Sequence, residues 1–153
     1  MPNVISTTEL SGLAGQDLSP SEWMEISQER VSQFADATND HQFIHIDEER
    51  AKATPFGGTI AHGFLSLSLV TYLTSEAIPV PEGTVMTINY GSDKVRYLTP
   101  VRVGKRIRAL QKVVEVGEKQ PGRWLVKTAV TIEIEGEEAP ALIAEILFMH
   151  FTG

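Results

Sequence analysis

The second half of the chain alternates between apolar and polar residues, which is the pattern of extended strands. The alternation is clearest between residues 123 and 135. One face there carries Trp124, Val126, Thr128, Val130, Ile132 and Ile134, and the other carries Lys127, Thr131, Glu133 and Glu135. This pattern predicts a strand with one buried and one hydrated face. Similar runs predict strands at 84–97, 105–116 and 141–151, and the breaks at Gly104, 117–122 and Gly136 predict hairpin turns between antiparallel neighbours.

The first half of the chain follows a helical period instead. Apolar residues recur every three or four positions after Ser27, a candidate N-cap, and they predict a helix that ends near residue 38 or 39. Asp47 is a candidate N-cap for a second, short helix over 48–52. The two helices are expected to be joined by a non-helical loop.

Between the two halves lies a segment that is apolar almost all round. Residues 60–77, IAHGFLSLSLVTYLTSEA, interrupt their apolar side chains mainly with small hydroxyls, which is typical of a helix enclosed by other elements. Pro79 ends this predicted central helix. Residues 1–20, in contrast, are polar and rich in serine and glycine, and they predict a loosely held lead-in to a short strand at 23–26.

One long apolar helix and four or five antiparallel strands predict an α+β domain. A curved antiparallel sheet must wrap around the helix, because a sheet on one side alone would leave half of the helix in water. This is the hot-dog arrangement, and 153 residues with 42% hydrophobic side chains suffice for a single domain over residues 1–153. An outer sheet edge would favour a homodimer, since pairing of two edge strands satisfies their backbone groups.

The composition limits which side chains can be reactive and which partners the protein can bind. The chain has no cysteine, so histidines, carboxylates and hydroxyls must supply any reactive group. A net charge of −7 argues against nucleic-acid or anionic-membrane partners. No run is apolar enough for a membrane helix and no signal-like segment opens the chain, so we expect a cytoplasmic protein.

The charge is nevertheless uneven. Residues 94–108 carry six of the 13 basic residues and no acidic one. The stretch is either a solvated hairpin or an anion site, in which Arg96, with Arg106 or Arg108, meets the phosphates of a ligand.

The densest group of polar residues is the segment 39–47, Asn-Asp-His-Gln-Phe-Ile-His-Ile-Asp. Asp40 and His45 lie five residues apart, close enough for a carboxylate and an imidazole to flank one water molecule and exchange protons with it. A capping aspartate and a half-buried histidine would give the same spacing without catalysis.

A second group of interest follows at Ile60-Ala61-His62-Gly63, where the apolar segment begins. The start of a helix offers free backbone N–H groups that stabilise an oxygen as it becomes negatively charged. Gly63 favours such a site because glycine lets a ligand approach the backbone, although tight packing against a strand would explain the same residue. We expect His62 to bond to the backbone at the helix start and not to be catalytic.

Together these residues resemble the MaoC-like dehydratase family, which contains the (R)-specific enoyl-CoA hydratases. The motifs that carry the resemblance are Phe34-Ala35, Thr38-Asn39-Asp40, Ile44-His45-Ile46-Asp47, Ala51, Phe56, Ile60-Ala61-His62-Gly63-Phe64-Leu65, Val95-Arg96-Tyr97, Pro100-Val101 and Gly104. The resemblance spans most of the chain, and it implies the hot-dog fold that the pattern predicts.

The resemblance also implies a lyase of fatty acid metabolism. Such a hydratase adds water to a trans-2-enoyl-CoA and gives the (R)-3-hydroxyacyl-CoA. Asp40 and His45 would form the catalytic pair, with the division of acid and base roles left open, and Gly63 N–H would hold the thioester oxygen. Gln42, Ala61, His62 and Arg96 complete the set of expected substrate-contacting residues. Hydration needs no metal or cofactor, and no nucleotide-binding glycine loop is present in the sequence.

The chain departs from the family motif in the catalytic loop. Family members usually have glycine before the aspartate and asparagine and proline after it, where this chain has Asn39, Gln42 and Phe43. These residues resemble those of a nodulation-protein-N-like branch, which makes them a subgroup trait. Two other functions stay open. One is a hot-dog thioesterase that uses a carboxylate and water, and the other is a non-catalytic acyl-CoA-binding subunit.

A metal site is a further alternative. His41, His45, Asp47 and His62 offer the donor types of a zinc or iron site. Their spacing matches no standard pair of ligands on a helix, and Asp47 is better used as an N-cap. We therefore do not expect a metal.

Overall fold

The computed structural model describes residues 2–153, and its main feature is a curved, five-stranded antiparallel sheet. The strands are β2 (Met24–Glu25), β4 (Thr84–Tyr97), β5 (Arg106–Gln120), β6 (Arg123–Ile134) and β7 (Leu142–Thr152). Their order across the sheet is β2-β5-β6-β7-β4. A separate small sheet pairs β1 (Val4–Ile5) with β3 (Val80–Pro81) in parallel.

The four long strands predicted from the alternation are confirmed to within a few residues. On β6, Val126, Val130 and Ile132 are at most 1% exposed, as expected for the apolar face. The prediction that a hairpin at Gly104 makes β4 and β5 neighbours is wrong, because β6 and β7 lie between them. The connecting segment passes the helical half of the molecule instead, where Arg102 pairs with Ile60.

Two predicted helices are confirmed together with their caps. Ser27 Oγ accepts a hydrogen bond from Arg30 N at the start of α2 (Gln28–Thr38), at 3.2 Å. Asp47 Oδ1 accepts from Arg50 N at the start of α4 (Glu48–Lys52), at 3.1 Å. Both caps satisfy backbone donors that a helix leaves unpaired in its first turn.

The predicted central helix over 60–77 is shorter and divided. Residues 60–62 are extended, and the helical part consists of α5 (Gly63–Ser68) and α6 (Val70–Thr74). Leu69 between them keeps right-handed helical angles (φ −75°, ψ −11°), so the interruption is local. The buried side of α5 and α6 joins the core on the inner face of the sheet, but Phe64 and Tyr72 are 69% and 66% exposed in the single chain.

The N-terminal segment is held by hydrogen bonds and is not loose, so that prediction is wrong for residues 2–20; Met1 lies outside the described residues. Ser6 and Glu9 form a reciprocal capping box on α1 (Thr7–Ser11). Leu10 is fully buried in the core. The Ser-x-x-Glu motif that starts this helix is visible in the sequence.

Residues 15–26 run along β5 and cover its outer edge. Backbone hydrogen bonds join Leu18 N to Gln111 O and Ser21 N to Ala109 O, both at 2.9 Å. Strand β2, at the end of this segment, pairs with β5. As a result the sheet edge at β5 is covered as far as Val113, whereas the edge at β4 is open.

A curved antiparallel sheet that holds helical segments against its inner face is the α+β hot-dog fold, as predicted. Among residues 2–153 no helix is both long and apolar enough to cross a membrane.

One buried histidine lies in this core, away from the polar loop. His150 on β7 is 2% exposed. Its Nδ1 lies 2.8 Å from Thr87 Oγ1, and Nε2 has no partner among residues 2–153. Because burial removes hydration from the charged form, it lowers the pKa of His150 to about 4. The ring is therefore neutral in the folded protein at pH 7.

This depressed pKa predicts a loss of stability in mild acid. As pH falls from about 6.5 to about 4, the unfolded chain binds a proton at His150 before the folded protein does. The free energy of unfolding should therefore decrease across that window, by at most about 3 kcal/mol from this group. Urea unfolding of His150→Gln should show a flatter pH dependence than the wild-type protein. Parallel curves would contradict the prediction.

Candidate active site

The candidate site begins where α2 ends. Asn39 adopts the left-handed conformation (φ 60°, ψ 25°) that closes many helices. Glycine reaches this region without strain, and asparagine tolerates it better than most other residues. Asn39 can therefore adopt the same backbone conformation as the glycine of the family motif. This conformation directs the chain into the loop that carries Asp40.

The segment that carries His45 is not the non-helical loop that the sequence predicts. It contains the one-turn helix α3 (Phe43–Ile46), closed by a hydrogen bond from Asp47 N to Phe43 O at 2.9 Å. Arg50 lies over the Phe43 ring, 4.1 Å from its centroid. This contact anchors the helix start, where the family motif has a proline.

His45 is held in one tautomer when it is neutral. It is 6% exposed, and its Nδ1 lies 2.7 Å from Ile60 O. A carbonyl can only accept, so Nδ1 donates and Nε2 keeps a free lone pair. Burial lowers the pKa of His45, partly opposed by the hydrogen bond to Ile60; His62 lowers it further and Asp40 raises it. The ring is thus a neutral base at pH 7.

The fold brings the two predicted catalytic residues together. One oxygen of Asp40 and one nitrogen from each of His45 and His62 lie within 4.8 Å of one another. The Asp40 side chain stays 50% exposed, so its carboxylate is open to a ligand. Gln42 lies between the two in the sequence and is the N-cap residue of α3. Its backbone N–H points at Asp40 Oδ1 over a long 3.4 Å, and its side chain makes no capping bond.

The expected location of His62 is confirmed. It is the N-cap residue of α5, and its Nε2 lies 3.0 Å from the backbone oxygen of Asp40. Its ring stacks on His45, with centroids 3.7 Å apart and planes at 22°. The sequence gives no indication of this stacking.

The donor set does not fit a metal ion. His41 Nε2 lies 2.9 Å from Asp36 Oδ1, and Asp47 caps α4, so these two do not join His45 and His62. In the group that does form, the rings of His45 and His62 are stacked, so their in-plane lone pairs lie in two separate and nearly parallel planes. Metal ligands must converge on one point.

The backbone of His45 is held by a hydrogen-bonded network that no sequence pattern indicates. Gln28 Nε2 donates to His45 O at 2.8 Å, and Gln28 Oε1 accepts from Thr59 Oγ1 at 2.7 Å. Glu48 Oε2 accepts from Thr59 N at 2.9 Å, and the hydrogen bonds from Thr59 lower the pKa of Glu48. These partners are 11 to 31 residues apart, so no local pattern reveals them.

Gly63 lies beside a cleft of about 300 Å³ between the 60–63 segment and residues 97–101, and Ala61 lines the same cleft. The Gly63 N–H has no acceptor among residues 2–153. A Cβ atom added to Gly63 would lie 2.9 Å from two carbons of the Tyr97 ring. Packing against β4 therefore accounts for the glycine, and its role as an oxyanion donor stays a prediction.

The basic residues of 94–108 are not gathered into one site. Arg96 on β4 is exposed and donates to its own neighbour's carbonyl, Val95 O, at 2.7 Å. On β5, Arg106 pairs with Glu135, which directly follows β6, and Arg108 pairs with Glu133 of β6. Since two strands separate β4 from β5, Arg96 is apart from the other two.

The contact between Gly63 and Tyr97 predicts a specific packing cost. Gly63→Ala should lower the free energy of unfolding by roughly 1 to 3 kcal/mol, because the added methyl meets the Tyr97 ring. Tyr97→Ala combined with Gly63→Ala should recover part of this loss, which a double-mutant cycle of urea unfolding measures. Equal cost with and without Tyr97 would exclude this explanation.

Comparison with known proteins agrees with this geometry. The family model described as MaoC like domain matches residues 9–137. The chain is 46% identical over 145 residues to 3-hydroxyacyl-thioester dehydratase Z of Mycobacterium tuberculosis (strain H37Rv), with 95% of each chain covered. It is 44% identical over 141 residues to nodulation protein N of Rhizobium meliloti (strain 1021), covering 92% of this chain and 88% of the relative.

A solved structure gives the same result. The (R)-hydratase from A. caviae involved in PHA biosynthesis matches with a TM-score of 0.72 and 26% identity, covering 88% of this chain and 94% of that one. The family model spans most of the chain, and the two sequence relatives cover nearly all of it. The chain therefore belongs to the MaoC-like domain family.

Proposed function

We propose that this protein is a hydro-lyase that adds water across the double bond of a trans-2-enoyl-CoA and releases the (R)-3-hydroxyacyl-CoA. The observation that carries the proposal is the convergence of the Asp40 carboxylate and the neutral His45 imidazole within 4.8 Å. The relatives support it, since one is a 3-hydroxyacyl-thioester dehydratase and another an (R)-hydratase. In this proposal, residues 1–153 form one MaoC-like domain.

The reaction needs one proton taken from water and one given to carbon. A water molecule between Asp40 and His45 loses a proton to one of them while its oxygen forms a bond to C3. The double-bond electrons move toward the thioester carbonyl, and C2 then takes a proton from the catalytic pair. His45 Nε2 is suited to accept, because Ile60 O holds the other nitrogen as a donor. The reverse sequence is the dehydration.

Other residues of the site have supporting roles in this proposal. The Gly63 N–H stabilises the enolate-like oxygen. Ala61 lines the neighbouring cleft, which is suited to the acyl chain because its other walls include Ile60 and Leu142. Gln42, two residues after Asp40, orients the water, and Arg96, exposed on β4, meets the coenzyme A phosphates.

The first test is hydration of crotonyl-CoA and a longer trans-2-enoyl-CoA, followed through loss of the conjugated thioester absorbance. Wild-type protein should consume both without releasing free thiol. Asp40→Asn and His45→Ala should each lower kcat by about 100-fold or more, because each removes one of the proton-transfer groups.

His41→Gln is the matched control, since His41 lies in the same loop and pairs with Asp36. It should retain wild-type kcat. Thiol release would contradict hydration and indicate a thioesterase, and an inert, folded wild-type protein would indicate a binding subunit.

The open sheet edge supports a homodimer. Strand β4 pairs with β7 on one side only. Along it Val85, Met86, Ile88 and Tyr90 are 72%, 49%, 39% and 59% exposed. An unpaired edge with large apolar side chains is a liability for a single chain. Antiparallel pairing of two β4 strands about a two-fold axis would cover it with an identical surface.

Charges on this edge should therefore prevent association. Wild-type protein should sediment as a dimer. The variant that combines Ile88→Lys with Tyr90→Lys should sediment as a monomer, with the 16.8 kDa mass of one chain, because like charges would face each other across the two-fold axis. Val114→Lys, at an apolar position on β5 that is 41% exposed, is the control and should remain dimeric. A monomeric wild-type protein would contradict the homodimer.

A further inference from the structure

A second histidine lies directly against the proposed catalytic histidine, and the mechanism above does not use it. The side chain of His62 is 2% exposed. Its ring stacks on His45 at 3.7 Å between centroids, and it also packs against Phe34, 4.9 Å away at an interplanar angle of 60°. His45 is thus supported by a ring that is itself fixed by α2.

The same ring also forms a hydrogen bond to the backbone of Asp40, the second residue of the proposed catalytic pair. His62 Nε2 lies 3.0 Å from Asp40 O, and because a carbonyl only accepts, His62 donates this bond. Its Nδ1 is buried and has no partner among residues 2–153. One side chain therefore contacts His45 by stacking and the Asp40 backbone by a hydrogen bond.

We propose that His62 is a positioning residue, which fixes the orientation of His45 and the distance between His45 and Asp40. This inference rests on the hydratase function proposed above. Small displacements of a catalytic pair are costly, because proton transfer requires hydrogen-bond distances to one water molecule. His62 touches both members of the pair from the side of the protein core.

His62 also acts on His45 electrostatically. After burial and the hydrogen bond to Ile60, the remaining influences on the pKa of His45 are His62, which lowers it, and Asp40, which raises it. The other charged groups nearby are engaged elsewhere: Asp36 with His41 and Glu48 with Thr59. Removal of His62 should therefore raise the pKa of His45.

Two substitutions separate the two contacts. His62→Gln can keep a donor for Asp40 O but lacks the ring, whereas His62→Phe keeps the ring but lacks the donor. We expect both to lower kcat by about 10-fold or more with little change in KM. The acid limb of the kcat/KM profile should move to higher pH, since His62 no longer opposes protonation of His45. His41→Gln is the control and should keep the wild-type kcat and profile.

An NMR titration of His45 in the same proteins gives a readout that does not depend on activity. A raised His45 pKa together with the loss of kcat supports the proposal. Folded variants with an unchanged His45 titration and an unchanged kcat overturn it, as does a loss of thermal stability without any change in the pH profile. An inert wild-type protein whose His45 titration still responds to His62 would overturn the hydratase function and support the contact between the rings.

Discussion

The extended segment 59–61 joins the two halves of this molecule, and the site depends on it. Its backbone forms hydrogen bonds to the helical half and to the segment that follows β4. Ile60 N donates to Ile44 O at 2.9 Å, and Ala61 N donates to Val101 O at 2.8 Å. Ile60 O also receives the His45 ring. If the predicted helix began at Ile60, as the composition suggests, the Ile60 carbonyl would accept a hydrogen bond within the helix and His45 would lose its partner.

Consequently His45 lies on a short element whose position is set by hydrogen bonds and not by intrinsic helical stability. A one-turn helix such as α3 is marginal in water on its own. Here the Gln28 side chain donates a hydrogen bond to His45 O, and the Arg50 guanidinium lies over the Phe43 ring. Ile60 O accepts a hydrogen bond from the His45 ring. The site is therefore organised before substrate arrives, which is what electrostatic and proton-transfer catalysis require.

Sequence reasoning succeeds here where the determining interactions are local. Alternation predicts β6, and Ser27 and Asp47 mark their helices because a cap bonds within three residues. The position of β4 at the far edge is not predictable this way, since strand order depends on pairing between residues as distant as Thr84 and Thr152. Asp40 and His45 are recognisable by residue type and motif, whereas the Gln28–Thr59–Glu48 network and the stacking of His62 involve partners that the fold alone brings together.

The covered edge of β5 has a consequence for how far this protein can associate. Residues 15–26 are bonded along β5 as far as Val113, whereas the outer backbone groups of β4 have no neighbouring strand along its whole length. A further strand therefore meets an occupied surface on the first half of β5 and a free one on β4. The N-terminal segment thus disfavours growth of the sheet at its β5 side, of the kind that leads to fibrils, while it contributes Leu10 to the core.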